Sequence, residues 1–125
     1  HLFNNINNIK SELKNLLRSK MKVAIWGGTG KCAAFMHHYE IKQEDFPIVV
    51  DSDIRKVGTF VPGVGQQILH STYLIKNPVQ VLIRPTQWRA RDIINECKSL
   101  KLSFQSILIE HKGNLIEFNQ FKHPY

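Results

Sequence analysis

The chain has 125 residues, 42% hydrophobic and 22% charged, with 17 Lys and Arg against 10 Asp and Glu and a formal net charge of +7. That length suits one domain with a proper core, and no apolar run approaches the roughly 20 residues of a membrane span, so no membrane partner is expected. The basic residues are scattered, with no run beyond Arg89-Ala90-Arg91 and no nucleic-acid motif, which points the charge at a phosphate-bearing small molecule or an acidic partner domain rather than at nucleic acid.

The opening His1-Leu2-Phe3 reads as a truncated start or tag remnant, so a longer native chain is expected. From Leu2 to Lys20, the residues Ile6, Ile9, Leu13, Leu16 and Leu17 recur at helical spacing, with Lys10, Lys14, Arg18 and Lys20 off that face. Such a helix packs on its own sheet, or it links or dimerises with something outside the chain; a share of both is expected. The asparagines at positions 4, 5, 7 and 8 are poor helix formers, so the first turn should fray.

Lys22-Val23-Ala24-Ile25-Trp26 reads as a strand buried on both faces. Gly27, Gly28 and Gly30 then supply a tight turn, and Lys31 to Met36 has the composition of a helix start, running to about His38-Tyr39. A strand, a glycine turn and a helix N-terminus form an anion site, where unbonded backbone N–H groups and the helix dipole converge. Gly28-x-Gly30-x-x-Ala33 fits the dinucleotide fingerprint in its proper context, although glycines here also let helix pack on strand. About 20 residues on, as that fold requires, Pro47-Ile48-Val49-Val50 forms a second strand ending at Asp51. Asp51 either accepts a hydrogen bond from a ligand hydroxyl or caps the next turn through Ser52 and Asp53. His37 and His38 are neighbours in sequence and so point apart on a helix; no metal is expected there.

Ser52 to Gly65 holds Gly58, Pro62, Gly63 and Gly65 and reads as a loop, with at most a short strand at Thr59–Val61. It leaves the carboxyl end of the second strand, the ligand side of open α/β sheets, so a functional loop is expected. Gln67-Ile68-Leu69 is a short edge strand, and His70-Ser71-Thr72 caps a brief helix through Ile75. Val79 to Ile83 is a strand stopped by Arg84-Pro85. Thr86 caps a helix from Gln87 to Lys101, with Trp88, Ile93, Ile94, Cys97 and Leu100 largely on one side. Phe104 to Ile109 is the next strand, its end at Glu110-His111 facing the ligand edge. Leu115 to Phe118 alternates like a short added strand.

The expected fold is therefore α/β: a Rossmann-like three-layer αβα domain over residues 21–125, behind an N-terminal linker helix over 1–20. Its sheet is mostly parallel and five-stranded, in the order 3-2-1-4-5. Cys32 and Cys97 are isolated and lack metal-type spacing, which suits a reduced, cytoplasmic setting.

Val23-Ala24-Ile25-Trp26-Gly27 with Lys31, then Val50-Asp51-Ser52-Asp53-x-x-Lys56-x-Gly58-x-x-x-Pro62-Gly63, then Gln67-Ile68, and Ile83 with Pro85 and Trp88, together resemble the C-terminal domain of sugar-nucleotide C-methyltransferases. The resemblance covers about Lys22 to Ile109, and the Asp51-to-Gly63 spacing is its most specific part. It implies deoxysugar substrates carried on a nucleoside diphosphate. It also implies that whole enzymes begin with a zinc-bearing segment and an S-adenosylmethionine-binding methyltransferase domain. This domain would then close over the sugar nucleotide behind a linking helix, which Leu2 to Lys20 resembles. Two departures stand out: Cys32 replaces a frequent glycine, crowding the phosphate turn, and the longer Pro85-to-Trp88 spacing places Trp88 in the core.

The expected role is holding the nucleoside diphosphate. Gly27, Gly28, Thr29, Gly30 and Lys31 form the turn, with backbone N–H groups from Gly28 to Lys31 meeting phosphate oxygens and Lys31 as a charge partner. Asp51 would accept a ribose or sugar hydroxyl, Lys56 would screen the diphosphate, and Pro62 and Gly63 complete the substrate-binding set. For Lys31, Asp51 and Lys56, solvation or local capping is the competing account. No catalytic residue carries over, no methyl transfer by this chain alone is expected, and no cofactor is expected on it, S-adenosylmethionine belonging to the other domain. The expected partners are a nucleotide sugar, the catalytic domain or full-length chain, and a second copy in a homodimer. Two other functions remain open: an NAD(P)- or nucleotide-binding module, and a non-catalytic assembly domain docking through its helix and basic surface.

Overall fold

Val23, Ala24, Ile25 and Trp26 are all buried and form the strand β1 (Val23–Trp26), which has a parallel partner on each side. An apolar run without alternation is what such a position demands, because side chains on both faces meet a helix layer. The computed structural model describes residues 5–119 and 123–125, with side chains from Asn8 onward. Among these, β1 is joined by β2 (Ile48–Asp51), β3 (Ile68–His70), β4 (Val81–Arg84), β5 (Ser106–His111) and β6 (Asn114–Glu117) in one six-stranded sheet of order β3-β2-β1-β4-β5-β6. All neighbours are parallel except β5 and β6.

Alternate residues of each strand face opposite layers. Val23, Ile25, Val49, Val81 and Ile83 pack with residues of α1 (Asn5–Ser19) and α2 (Gly30–His38). Ala24, Trp26, Val50, Leu82 and Ile109 pack with residues of α3 (Tyr73–Lys76) and α4 (Ala90–Ser99). Handedness explains the division. The crossover through α2 runs from β1 toward one edge of the sheet and that through α4 from β4 toward the other, so right-handed connections put the two helices on opposite faces. The strand order reverses between β1 and β4. The expected Rossmann-like αβα architecture is the one observed.

The sheet has six strands rather than five. Lys112 (φ 50°) and Gly113 (φ 80°) form a two-residue left-handed turn, which folds β6 back antiparallel on β5. The backbone N–H of Phe118 donates to the Ile107 carbonyl at 2.7 Å. The last helix is also shorter than expected. Arg89 stands before it at φ 57°, a left-handed residue that a right-handed helix cannot include, so Arg89 and not Thr86 is its N-cap.

The first helix packs on its own sheet: Ile9 and Leu13 are buried beside Leu115 of β6, and Asn8 Nδ2 donates to Asn114 Oδ1 at 3.3 Å. Leu16 is half-buried and Leu17 is exposed. The expected contribution of Ile6 and the fraying at Asn4 lie outside the described residues and side chains. The segment 52–67 contains one isolated antiparallel bridge, Phe60 to Gln67, in place of a short strand. It is pinned from below by the buried Gln66, whose Nε2 donates to the Ile41 and Phe46 carbonyls at 2.9 and 3.0 Å.

Candidate functional site

The carboxyl ends of β1, β2 and β4 bring Trp26, Asp51 and Arg84 to one edge, where a cleft of about 680 Å³ opens. It lies where the strand order reverses, the crevice in which open α/β sheets bind ligands. Three segments line it: the glycine turn entering α2, the turn after β2, and the connection from β4 together with the first two turns of α4.

At the glycine turn, Gly27 adopts φ 109° and its N–H donates to the Val50 carbonyl at 2.8 Å. A Cβ on Gly27 would stand 2.5 Å from Arg84 Nη1 and 2.7 Å from Cys32 Sγ, so only glycine fits. Gly30 adopts φ 55°, with nothing within 4 Å of the place a Cβ would occupy. The N-cap Thr29 makes no side-chain capping bond. The amides of Cys32 and Ala33 reach back to the Thr29 carbonyl, while those of Gly30 and Lys31, in the first turn, have no intrahelical acceptor. This helix start can therefore receive an anion.

Below the turn lies Arg84, only 7% exposed. Its Nη1 donates to the Trp26 carbonyl at 2.9 Å and to Cys32 Sγ at 3.2 Å, and its Nη2 donates to the Trp88 carbonyl at 2.6 Å. Its Nε has no partner, and among the described residues no carboxylate stands within ion-pair distance of it. A buried cation without a counter-charge is costly; three dipolar acceptors offset part of that cost, and an anion in the cleft would offset the rest.

Among the other charges of the cleft, Glu96 Oε2 accepts from the Ser71 hydroxyl at 3.2 Å. Arg55 grips Asp53 with two bonds, Nε to Oδ1 at 3.0 Å and Nη2 to Oδ2 at 2.9 Å, and this fork holds the Asp53 carboxyl at about 2, well below its usual range. Arg89 pairs with Asp92 at 3.3 Å. Lys31, Lys56 and Arg84 are in no ion pair among the described residues. Asp51 Oδ1 accepts from the Asp53 N–H at 2.9 Å, so the turn-capping account of Asp51 describes one of its oxygens. Cys32 is buried beside Arg84; burial pushes its thiol up, with the guanidinium opposing.

The profile of the C-methyltransferase C-terminal domain family matches residues 2–109. The chain belongs to this family. Its fold is shared by a UDP-D-quinovosamine 4-dehydrogenase from Vibrio fischeri, at 21% identity and a TM-score of 0.54, over 78% of this chain and 93% of that one. Comparison with curated proteins finds no match. The match spans α1 and the strands β1 to β4 and ends within β5, short of β6.

In this C-methyltransferase C-terminal domain, Gly27, Thr29, Gly30, Lys31, Asp51 and Lys56 line the cleft. Gly28, Pro62 and Gly63 are not among its lining. A Cβ on Gly28 would press on Ile68 and Val61 at 2.8 and 2.9 Å, and one on Gly63 would stand 2.6 Å from His37 Nδ1. These two glycines let the 52–67 segment close against the first turn and the end of α2, and Pro62 is exposed beside them. Trp88 is not in the core: it is 73% exposed and borders the cleft. Arg84, read from the sequence as a strand stop, is the buried cation of the cleft. A charged residue closing an otherwise apolar buried strand, at the edge that carries the glycine turn, was the available signal. Among the described residues no cluster of His, Cys, Asp or Glu could hold a metal, and no helix is long and apolar enough to cross a membrane.

Proposed function

We propose that this domain holds the nucleoside diphosphate of a nucleotide-linked sugar for an S-adenosylmethionine-dependent methyltransferase domain outside the chain. The observation that carries the reading is Arg84, a guanidinium buried without a carboxylate beneath an uncapped helix start. The diphosphate would sit between the Gly30 and Lys31 amides and Arg84, with Lys31 and Lys56 as outer charges. Asp51 would accept a hydroxyl of the ligand. Membership of the C-methyltransferase C-terminal domain family supports this role, and a protein that shares the fold is named for a UDP-sugar. Catalytic groups and the methyl donor belong to the other domain, so this chain orients its ligand and does not transfer methyl groups by itself.

Calorimetric titration with dTDP, UDP, GDP, NADH and S-adenosylmethionine tests the reading, with Gly30→Val as control. Binding of a nucleoside diphosphate that the variant loses is the expected result. The Gly30 Cβ direction is open, so the valine side chain meets no protein atom there, and its cost to the fold is the backbone strain of φ 55°. Binding of NADH alone would make this a dinucleotide module, and no binding at millimolar concentration would leave the assembly role.

A further inference from the structure

Trp88 is 73% exposed, whereas Trp26 is 1% exposed. The backbone beneath this exposed indole is held rather than loose. The Trp88 carbonyl accepts Arg84 Nη2 at 2.6 Å. On one side, Gln87 Nε2 donates to the Glu110 carbonyl at 2.6 Å and also to the Glu110 carboxylate. On the other, Arg89 takes a left-handed φ of 57°, an uncommon conformation for a residue with a Cβ. Three consecutive residues are therefore constrained in a way that leaves the indole at the rim of the cleft that Arg84 underlies. Ile54 and Phe60 are also exposed but do not border the cleft.

An aromatic ring carried on a held backbone beside an anion site suits a nucleotide, whose planar base is tethered to its phosphates through a single ribose. Base–aromatic stacking is sequence-tolerant because every base has a π-face. We propose that the Trp88 indole is the stacking platform for the nucleobase, with Arg84 coupling that platform to the diphosphate through the Trp88 carbonyl. This deepens the nucleoside-diphosphate reading and rests on it. It also sets the polarity of the ligand: the base lies on the α4 side of the cleft, and the sugar lies toward β2 and Asp51.

Pyrophosphate, UDP, dTDP and GDP are titrated into the chain and into its Trp88→Ala and Trp88→Phe variants, by calorimetry and tryptophan emission. Trp88 is exposed, so neither variant should lose the fold. The expected result is that at least one nucleoside diphosphate binds about tenfold tighter than pyrophosphate and quenches the exposed tryptophan. Trp88→Ala should abolish that tenfold increment, Trp88→Phe should keep most of it, and pyrophosphate affinity should be the same in all three. If no nucleoside diphosphate exceeds pyrophosphate, or if Trp88→Ala keeps the increment, the stacking role is overturned while pyrophosphate binding still supports the anion site. If neither pyrophosphate nor any nucleotide binds, both readings fall.

Discussion

The Arg84 guanidinium lies so close to Gly27 that a Cβ on the glycine would stand 2.5 Å from Nη1. The glycine turn and the buried arginine are thus one device. By donating to the Trp26 and Trp88 carbonyls, Arg84 ties the end of β1 to the connection leaving β4, across the point where the strand order reverses. The absent side chain at Gly27 is what leaves room for a cation beneath a helix N-terminus.

Gly27→Ala and Gly30→Ala should therefore behave differently although both glycines have positive φ. At Gly27 the new methyl adds overlap with Arg84 and Cys32 to the strain of φ 109°, and a loss of about 3 kcal/mol is expected. At Gly30, with φ 55° and open space, only the backbone term remains, about 1 kcal/mol. Urea unfolding of the two variants checks this; equal losses would mean that the contact with Arg84 is relaxed in solution.

Arg84→Met separates a binding cation from a structural brace. The substitution removes two charge-assisted hydrogen bonds to carbonyls, each worth about 1.5 kcal/mol, and a weaker one to sulfur, but also relieves a buried charge that lacks a carboxylate. These effects oppose each other, so stability should change by no more than about 2 kcal/mol. Pyrophosphate affinity should fall at least tenfold, since charge-assisted bonds are the strong ones, and Arg84→Lys should lie between. A large loss of stability with unchanged affinity would make Arg84 a brace alone.

The uneven legibility of this chain follows from which contacts are local. Val23–Trp26 and Val81–Ile83 were readable because a strand covered on both faces must be apolar throughout, and handed crossovers then dictated the order of the central strands. The four residues of β6 carry too short an alternation to count with certainty as a strand, and the turn at Lys112-Gly113 decides it. Helix α4 starts late because Arg89 turns left-handed just after a carbonyl that Arg84 holds, a tertiary constraint that no local propensity encodes. For the same reason Arg84 looked like an ordinary strand end: its burial depends on a missing Cβ at Gly27. Gly28 and Gly63 resembled ligand-binding glycines, but their neighbours are Ile68, Val61 and His37, brought there by the closing of the 52–67 segment.

Asp53 should titrate with a midpoint of about 2, against its ordinary 3.8, because Arg55 bonds its ionised form. A depressed folded-state value means that the pairing is fully present above the ordinary value and is lost as pH falls through about 2. Both side chains are at the surface, so the effect is read in the titration rather than in global stability. Carbon NMR of the Asp53 carboxyl should show the low midpoint, and Arg55→Ala should raise it part of the way to 3.8, since the backbone N–H of residue 55 still donates to Asp53 Oδ1. An ordinary midpoint in the unmodified chain would mean that Arg55 is not held by Asp53, and would add it to the cations open to a ligand.

Asp51→Asn tests the polarity of the ligand with little disturbance of the turn. The bond from the Asp53 N–H falls on Oδ1, which an asparagine oxygen can replace, so what changes is the charge and the second oxygen. If the base stacks on Trp88, the sugar lies near Asp51. UDP-glucose affinity should then drop about tenfold, the worth of a hydrogen bond to a charged group, while UDP affinity stays the same. Equal losses for UDP and UDP-glucose would instead put the ribose at Asp51 and the base on the β2 side, the arrangement of a dinucleotide fold. Trp88 would then have no base to stack against. Asp51 closes β2 and Trp88 follows β4, on either side of β1 at one cleft, so the two substitutions must agree on which end of the nucleotide each side receives.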